Sequence, residues 1–189
     1  MKYHECRRRI LKIRNIKKIF VVLFMFGFIT GTIYINIFAK TSVLSMGILD
    51  EYFLKQYTVE NLNNNEYIWY IAGVRIVPII MLSLLANTNI RVIAGVCYLV
   101  WTGFSFGLIF TAAILKMGLK GVLLCIIAII PHFICYIVTY VILMIYIFSY
   151  PNVTWNYSKT ICMLLFILLG IITEAMFNPV LMDLFIKMI

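Results

Sequence analysis

VLLCIIAIIPHFICYIVTYVILMIYIF, Val122 to Phe148, is a run of 27 residues without Asp, Glu, Lys or Arg. A helix that crosses the hydrocarbon core of a bilayer needs about 20 predominantly apolar residues. Strands in soluble cores are much shorter, at about five or six residues. The run therefore predicts a membrane-spanning helix, and tilt or a kink at Pro131 would absorb its excess length.

The composition of the whole chain points the same way. Of 189 residues, 64% are hydrophobic and 12% charged, whereas soluble domains carry about 25% charged residues. We predict an all-α membrane protein, a single bundle of about five transmembrane helices. The predicted spans are Ile19–Ala39, Tyr67–Ala86, Val92–Leu115, Val122–Phe148 and Ile161–Leu184.

The net charge of +9 is concentrated at the N-terminus, where the first 18 residues hold eight Lys and Arg. Such a cluster beside a first span is a cytoplasmic topology signal and attracts anionic lipid headgroups. We therefore predict a basic cytoplasmic tail over 1–18, a single transmembrane domain over 19–189, and membrane lipids rather than nucleic acid as partners. The remaining Lys and Arg oppose this orientation, but the first signal usually dominates.

Lys40 to Glu66 is the long polar stretch between the first two spans and is predicted to be an extracytoplasmic loop. Within it, apolar side chains alternate with acidic and polar ones in a pattern typical of a short amphipathic helix at the membrane interface. Its apolar residues include Ile48, Leu49, Tyr52 and Phe53. They would face either a partner helix or the lipid, and the lipid interface is slightly favoured.

Two charged residues fall well inside predicted spans. Arg75 lies in the second span and Glu174 in the last, and a charge at such a depth costs about 2.5–3.5 kcal/mol unless it is paired or snorkels. One hypothesis is an Arg75–Glu174 ion pair between packed helices. The alternative, which the sequence alone favours, is separate hydration or snorkelling of each group.

His132 follows Pro131 inside the fourth span and has two interpretations. A histidine titrates near neutral pH, so it can carry protons or act as a general base. The stronger interpretation is structural, because a proline frees a backbone carbonyl one turn back that a neighbouring polar side chain can satisfy. Asn178 is a further intramembrane polar residue, and Pro78 and Pro179 are further candidate kinks.

Glycines with GxxxG spacing occur in two spans, at Gly27 and Gly31 and again at Gly103 and Gly107. Small residues with this spacing allow two helix backbones to approach closely. Both pairs are therefore predicted to mark helix-packing faces.

The sequence lacks the constellations that intramembrane enzymes use, including a nucleophilic serine motif, HExxH and a pair of intramembrane aspartates. Its two histidines, His4 and His132, cannot alone form a histidine zinc site, and its five cysteines show no paired spacing. We predict a non-enzymatic protein without cofactor or metal. Transport is harder to exclude, because a midplane Arg, Glu and His in interrupted helices are features of transporters.

GIITEAMFNPVL, Gly170 to Leu181, has Glu-Ala ahead of Pro in the last span, and AIIPHFICY, Ala128 to Tyr136, has Pro-His in an earlier span. These two segments resemble the stage II sporulation protein M family, whose final span closes with Glu-Ala ahead of Pro and whose earlier span carries Pro-His. The glycine-spaced FGFITGTIY and WTGFSFGLIF also fit the family layout. Phe133 stands where the family usually has Gly, and Cys135 and Tyr136 lie where it has Glu.

The resemblance implies a multi-pass scaffold in the bacterial cell membrane, with a cytoplasmic N-terminus. Such a scaffold would recruit peptidoglycan-degrading partners, the stage II sporulation proteins D and P, to the septal membrane during engulfment of the forespore. The alternative is a subunit of a small-solute or proton-coupled transporter. Self-association as a homo-oligomer is left open.

Overall fold

The structure is a computed structural model that describes residues 2–45, 64–151 and 153–188. Every regular element in these ranges is a helix. In chain order they are α1 (Lys2–Tyr34), a π-helical turn (Ile35–Ala39), α2 (Lys40–Ser45), α3 (Asn64–Leu85), α4 (Arg91–Met117), α5 (Leu119–Ser149) and α6 (Tyr157–Met188). The prolines at 78, 131 and 179 all lie within these helices.

Five of the helical stretches are long and apolar enough to cross a membrane. They are Ile16–Ser45, Glu66–Leu85, Arg91–Met117, His132–Ser149 and Tyr157–Leu184. Many large apolar side chains on them face outward, among them Val22, Leu84 and Ile93, as expected for helices whose solvent is lipid. The predicted all-α architecture with five long apolar helices is thus confirmed for the described residues, and it indicates a multi-pass membrane protein.

The first helix extends beyond the predicted span. The helix does not stop at Ala39 but continues through the π-helical turn and α2 to Ser45. Lys40, Thr41 and Ser42 are polar, but no Gly or Pro, the typical signals of a helix end, occurs between Ala39 and Gly47. Residues 40–45 and 64–66, which the sequence placed in the loop over 40–66, are therefore helical. The predicted amphipathic helix, with Ile48, Leu49, Tyr52 and Phe53, lies outside the described residues.

The connection between α4 and α5 is also shorter than the sequence predicts. The predicted spans leave six residues, 116–121, between them, but only Gly118 lies between the two helices. Gly118 has a φ of 59°, a conformation that side chains with a Cβ rarely adopt. Its N–H donates to the carbonyl of Ile114 at 2.8 Å, which closes the last turn of α4.

The helices pack side by side in the order α1, α4, α5, α6, α3. Consecutive spans run in opposite directions, so α1 and α4 are parallel to each other. The core lies where α3, α5 and α6 meet. Leu143, Met144 and Ile147 are each 1% exposed there and pack with Ile79, Leu82, Met163, Ile167 and Ile171.

Glycines bring α1 and α4 into backbone contact, and we call this the glycine seam (Gly27, Gly31, Gly103 and Gly107). A Cβ built on Gly103 would lie 3.0 Å from the carbonyl carbon of Phe24 and nearer still to its oxygen. A Cβ on Gly107 would meet the carbonyl of Phe28, and those on Gly27 and Gly31 would meet backbone atoms of α4. The two predicted packing motifs therefore face each other.

Candidate functional site

Three helices contribute polar side chains to one cluster near the middle of the bundle. Arg75 comes from α3, His132 and Tyr136 from α5, and Glu174 from α6. His132 and Tyr136 are four residues apart, so they share one face of α5. We call these four residues the polar cluster.

Arg75 and Glu174 form a two-pronged ion pair. The Arg75 Nε donates to Glu174 Oε2 at 2.9 Å, and its Nη2 donates to Oε1 at 2.5 Å. The Glu174 side chain is 10% exposed and that of Arg75 is 37% exposed. Because bidentate pairs combine charge with fixed geometry, the pair fixes α3 against α6. The structure therefore favours the pairing hypothesis over separate hydration of the two groups.

Tyr136 completes the surroundings of the carboxylate. Its hydroxyl donates to Glu174 Oε2 at 2.8 Å, and the Arg75 guanidinium carbon lies 5.0 Å from the centroid of its ring. The ring fits because residue 170 is glycine, where a Cβ would lie 2.6 Å from Tyr136 Cε1. Tyr136 thus joins α5 to the ion pair through both its hydroxyl and its ring.

His132 lies beside the ion pair without a direct hydrogen bond to it. Its Nε2 is 3.8 Å from Glu174 Oε1, and its side chain is 6% exposed. Its Nδ1 is buried and has no hydrogen-bond partner among the described residues. The ring meets that of Tyr136 edge-on at 5.9 Å. His132 is therefore the one member of the polar cluster whose polar atoms are not engaged by direct contacts.

A pair of tyrosines extends the cluster toward α4. Tyr140, one turn beyond Tyr136 on α5, stacks on Tyr98 of α4 with ring centroids 5.1 Å apart. Stacked aromatic pairs contribute about 0.5–1.5 kcal/mol beyond the area they bury. The interactions that begin at Arg75 on α3 therefore continue through α5 to α4.

The other sequence-predicted residues lie apart from the direct contacts of the cluster. Asn178 follows Glu174 by one turn of α6, and its Oδ1 is buried without a hydrogen-bond partner among the described residues. The four glycines form the seam between α1 and α4, on the other side of the bundle.

The roles of Tyr136 and Gly170 were not predicted from the sequence. Each carried a signal in its spacing, because Tyr136 follows His132 by four residues and Gly170 precedes Glu174 by four. Either interval places the two residues on one helical face.

The cluster holds a carboxylate and a guanidinium against each other within the bundle. Within the described part of the chain, no group of three or more His, Cys, Asp or Glu residues could hold a metal ion. Cys97, Cys125, Cys135 and Cys162 are free thiols. The Glu174 carboxylate accepts three hydrogen bonds from two side chains, so it is held in a fixed position between three helices.

Replacement of Tyr136 by Phe is expected to remove one hydrogen bond to an ionised acceptor while keeping the ring. Such bonds contribute about 1.5–3 kcal/mol, so the free energy of unfolding in detergent micelles should fall by about 2 kcal/mol. Chemical unfolding followed by circular dichroism measures the change. Tyr157→Phe is the matched control because Tyr157 is 91% exposed. Equal stabilities of the two variants would show that the Tyr136 hydroxyl contributes nothing.

The class of protein follows from the fold, and the comparisons with known proteins add no family to it. The chain is a multi-pass α-helical membrane protein with an ion pair at the junction of three spans. No family model, no curated protein and no solved structure matches the chain.

Proposed function

We propose that this protein is a non-enzymatic membrane scaffold that docks other proteins in or at the bacterial cell membrane. The observation that carries the proposal is that Arg75 and Tyr136 both donate hydrogen bonds to Glu174, so the three polar groups satisfy one another. Charges at this depth are expensive, and here they hold α3, α5 and α6 together. A rigid bundle of this kind suits a protein that presents fixed surfaces to partners.

The docking surfaces of this scaffold would be its outward-facing helices and the 40–66 segment. On α1, Val22, Phe26 and Ile29 are 54–66% exposed, while the opposite face of α1 is packed against α4 through the glycine seam. Apolar faces of this kind suit either lipid or the membrane helix of a partner.

The particular role we propose rests on the two motifs that resemble stage II sporulation protein M. In that role the scaffold recruits peptidoglycan-degrading partners, the stage II sporulation proteins D and P, to the septal membrane during forespore engulfment. Its N-terminal tail would lie in the cytoplasm. The polar cluster supports this proposal in one respect. His132 belongs to one of the two motifs and Glu174 to the other, and the two side chains lie beside each other.

The test is a pull-down of the tagged full chain in mild detergent from its native host, with growing and starved cells compared. Cell-wall hydrolases are expected to co-elute from starved cells, and their recovery should fall with Glu174→Gln, which weakens the bundle. Gly73→Ala is the matched control, because a Cβ at Gly73 meets nothing within 4 Å. Elution of the chain alone under both conditions would contradict the scaffold proposal.

A transporter subunit is the second candidate function, and His132 is the observation that favours it. Its unpartnered Nδ1 and its 3.8 Å separation from Glu174 leave the ring able to gain or lose a proton beside a fixed carboxylate. Proton flux into proteoliposomes that is abolished by His132→Ala, with the helical content unchanged, would favour transport. Equal flux with and without the protein would exclude it.

A further inference from the structure

A cavity of about 680 Å³ lies between α3 and α6, and none of the four residues of the polar cluster lines it. It is within the range of small-molecule sites, about 300–1,000 Å³. Exposed side chains of Ile80, Leu84, Leu164 and Leu168 line it, so its mouth opens sideways, toward the lipid. Its floor includes Leu143, which is 1% exposed.

The cavity is apolar along most of its length and polar at one end. On α3 its lining runs from Ile76 to Leu84, about 12 Å at the rise of an α-helix, and it continues to Asn87 in the turn that follows α3. Its polar side chains gather at one end, where α3 and α5 end and α6 begins, and they are Ser83, Asn87, Tyr146, Trp155 and Thr160. The Trp155 Nε1 donates to Thr160 Oγ1 at 2.8 Å. This division matches an amphiphile whose chain lies in the bilayer and whose head lies at the surface.

The polar end of the cavity lies at the basic end of the bundle. Lys159 precedes Thr160 and donates to the carbonyl of Thr154. The Arg91 guanidinium carbon lies 4.0 Å from the centroid of the Tyr150 ring, beside the 150–156 connection that carries Trp155. No Asp or Glu occurs anywhere between Glu66 and Glu174. The cations at this end therefore have no acidic neighbour from α4, α5 or the connections between α3 and α6.

The N-terminal half of α1 adds charge at the same end. The ring of Phe20 packs edge-on against Phe148 at 5.3 Å, next to the end of α5. Lys17 and Lys18, just before it, are exposed. Lys17 and Lys18 therefore add positive charge at the end of the bundle where the head of an amphiphile in the cavity would lie.

We propose that the cavity binds an anionic phospholipid of the surrounding bilayer. One acyl chain lies between α3 and α6, and the phosphate lies near Lys159 and Arg91. The charge at the polar end favours this occupant over a zwitterionic lipid and over the apolar helix of a second copy. Each engaged cation contributes about 1 kcal/mol of attraction to an anionic membrane surface, which corresponds to about a fivefold preference.

Trp155 provides a reporter at the polar end of the cavity. In a Trp69→Phe/Trp101→Phe background it is the one remaining tryptophan, since the chain has three. The purified full chain is titrated in micelles with phosphatidylglycerol brominated near the carbonyl end of one acyl chain, and in parallel with phosphatidylcholine brominated at the same place. We expect phosphatidylglycerol to half-quench Trp155 at a mole fraction about fivefold lower.

Two variants test whether the lipid lies in the cavity. Ser83→Phe places a ring in the cavity. It should raise the mole fraction of phosphatidylglycerol needed for half-quenching at least fivefold, which equals the loss of the attraction of one cation for the lipid. Met81→Phe is the matched control, because Met81 is 59% exposed and does not line the cavity. Lys159→Gln should lower the preference for phosphatidylglycerol about fivefold, whereas Lys120→Gln, at the other end of the bundle, should not.

Three results would overturn the proposal. The first is equal quenching by both lipids, and the second is quenching by phosphatidylglycerol that Ser83→Phe leaves unchanged. The third is a dimer in which neither lipid quenches Trp155, since the occupant would then be a second copy. Should Ser83→Phe fail to fold, the Lys159→Gln result decides, and an unchanged lipid preference overturns the proposal.

Discussion

Replacement of Glu174 by Gln is expected to lower the free energy of unfolding in micelles by about 3 kcal/mol. Removal of one partner from a buried ion pair leaves the other charge uncompensated, at a typical cost of 3–5 kcal/mol. The lower end applies here because the Arg75 side chain is 37% exposed. Gln keeps the shape of the side chain and can still accept the hydrogen bond from Tyr136, so the loss reports the charge. Chemical unfolding followed by circular dichroism measures it.

Glu66→Gln is the control for this prediction. It removes the same charge from the exposed first turn of α3, where a surface charge contributes about 0–1 kcal/mol. A similar small loss for both variants would contradict the role assigned to the ion pair.

Replacement of Gly103 by Ile is expected to separate α1 from α4. A Cβ at this position already lies 3.0 Å from the carbonyl carbon of Phe24, and the larger side chain would meet backbone that cannot rotate away. Overpacking costs about 1–3 kcal/mol where side chains can adjust, so a loss of about 3 kcal/mol or more is expected here. Cysteines introduced at Phe28 and Phe106, whose rings lie 5.9 Å apart, should cross-link in the parent and lose the cross-link in the Gly103→Ile variant.

Gly73 provides the comparison within the same chain. It lies in α3 with nothing within 4 Å of an added Cβ, so Gly73→Ala should be neutral or stabilising by up to about 1 kcal/mol. Retention of the cross-link and of stability in the Gly103→Ile variant would show that the glycine seam does not hold α1 against α4.

The five long helices could be predicted because their signal is local. A continuous apolar run of membrane-spanning length has few other structures available to it. The ends of the helices were less predictable. Lys40–Ser45 begins with three polar residues yet is helical, since polar residues alone do not stop a helix. Gly118 alone connects two helices whose predicted spans left six residues between them.

The pairing of helices could be predicted only in part. The spacing of Gly27 with Gly31 and of Gly103 with Gly107 indicates two packing faces, but it does not say that they face each other. Their contact requires α1 and α4 to lie side by side and parallel, which depends on how all five helices are arranged. The same limit applies to Arg75 and Glu174, which lie 99 residues apart in the chain.

The members of the polar cluster that could be predicted from the sequence are those whose burial costs the most free energy. Arg75 and Glu174 are charged residues within apolar runs. They could be identified because an unpaired charge inside a membrane span has a high free-energy cost. Tyr136 is one of 12 tyrosines, and an aromatic ring in a span needs no special explanation. Its role appears only once its hydroxyl is found 2.8 Å from Glu174 Oε2.

The most direct test of the central claim, that the Arg75–Glu174 pair holds α3 to α6, is a double-mutant cycle with Arg75→Gln, Glu174→Gln and the double variant. The free energies of unfolding of all four proteins are measured in the same micelles. We expect a coupling energy of at least about 1 kcal/mol, with the double variant more stable than the sum of the single losses implies. Additive losses, within about 0.5 kcal/mol, would contradict the claim.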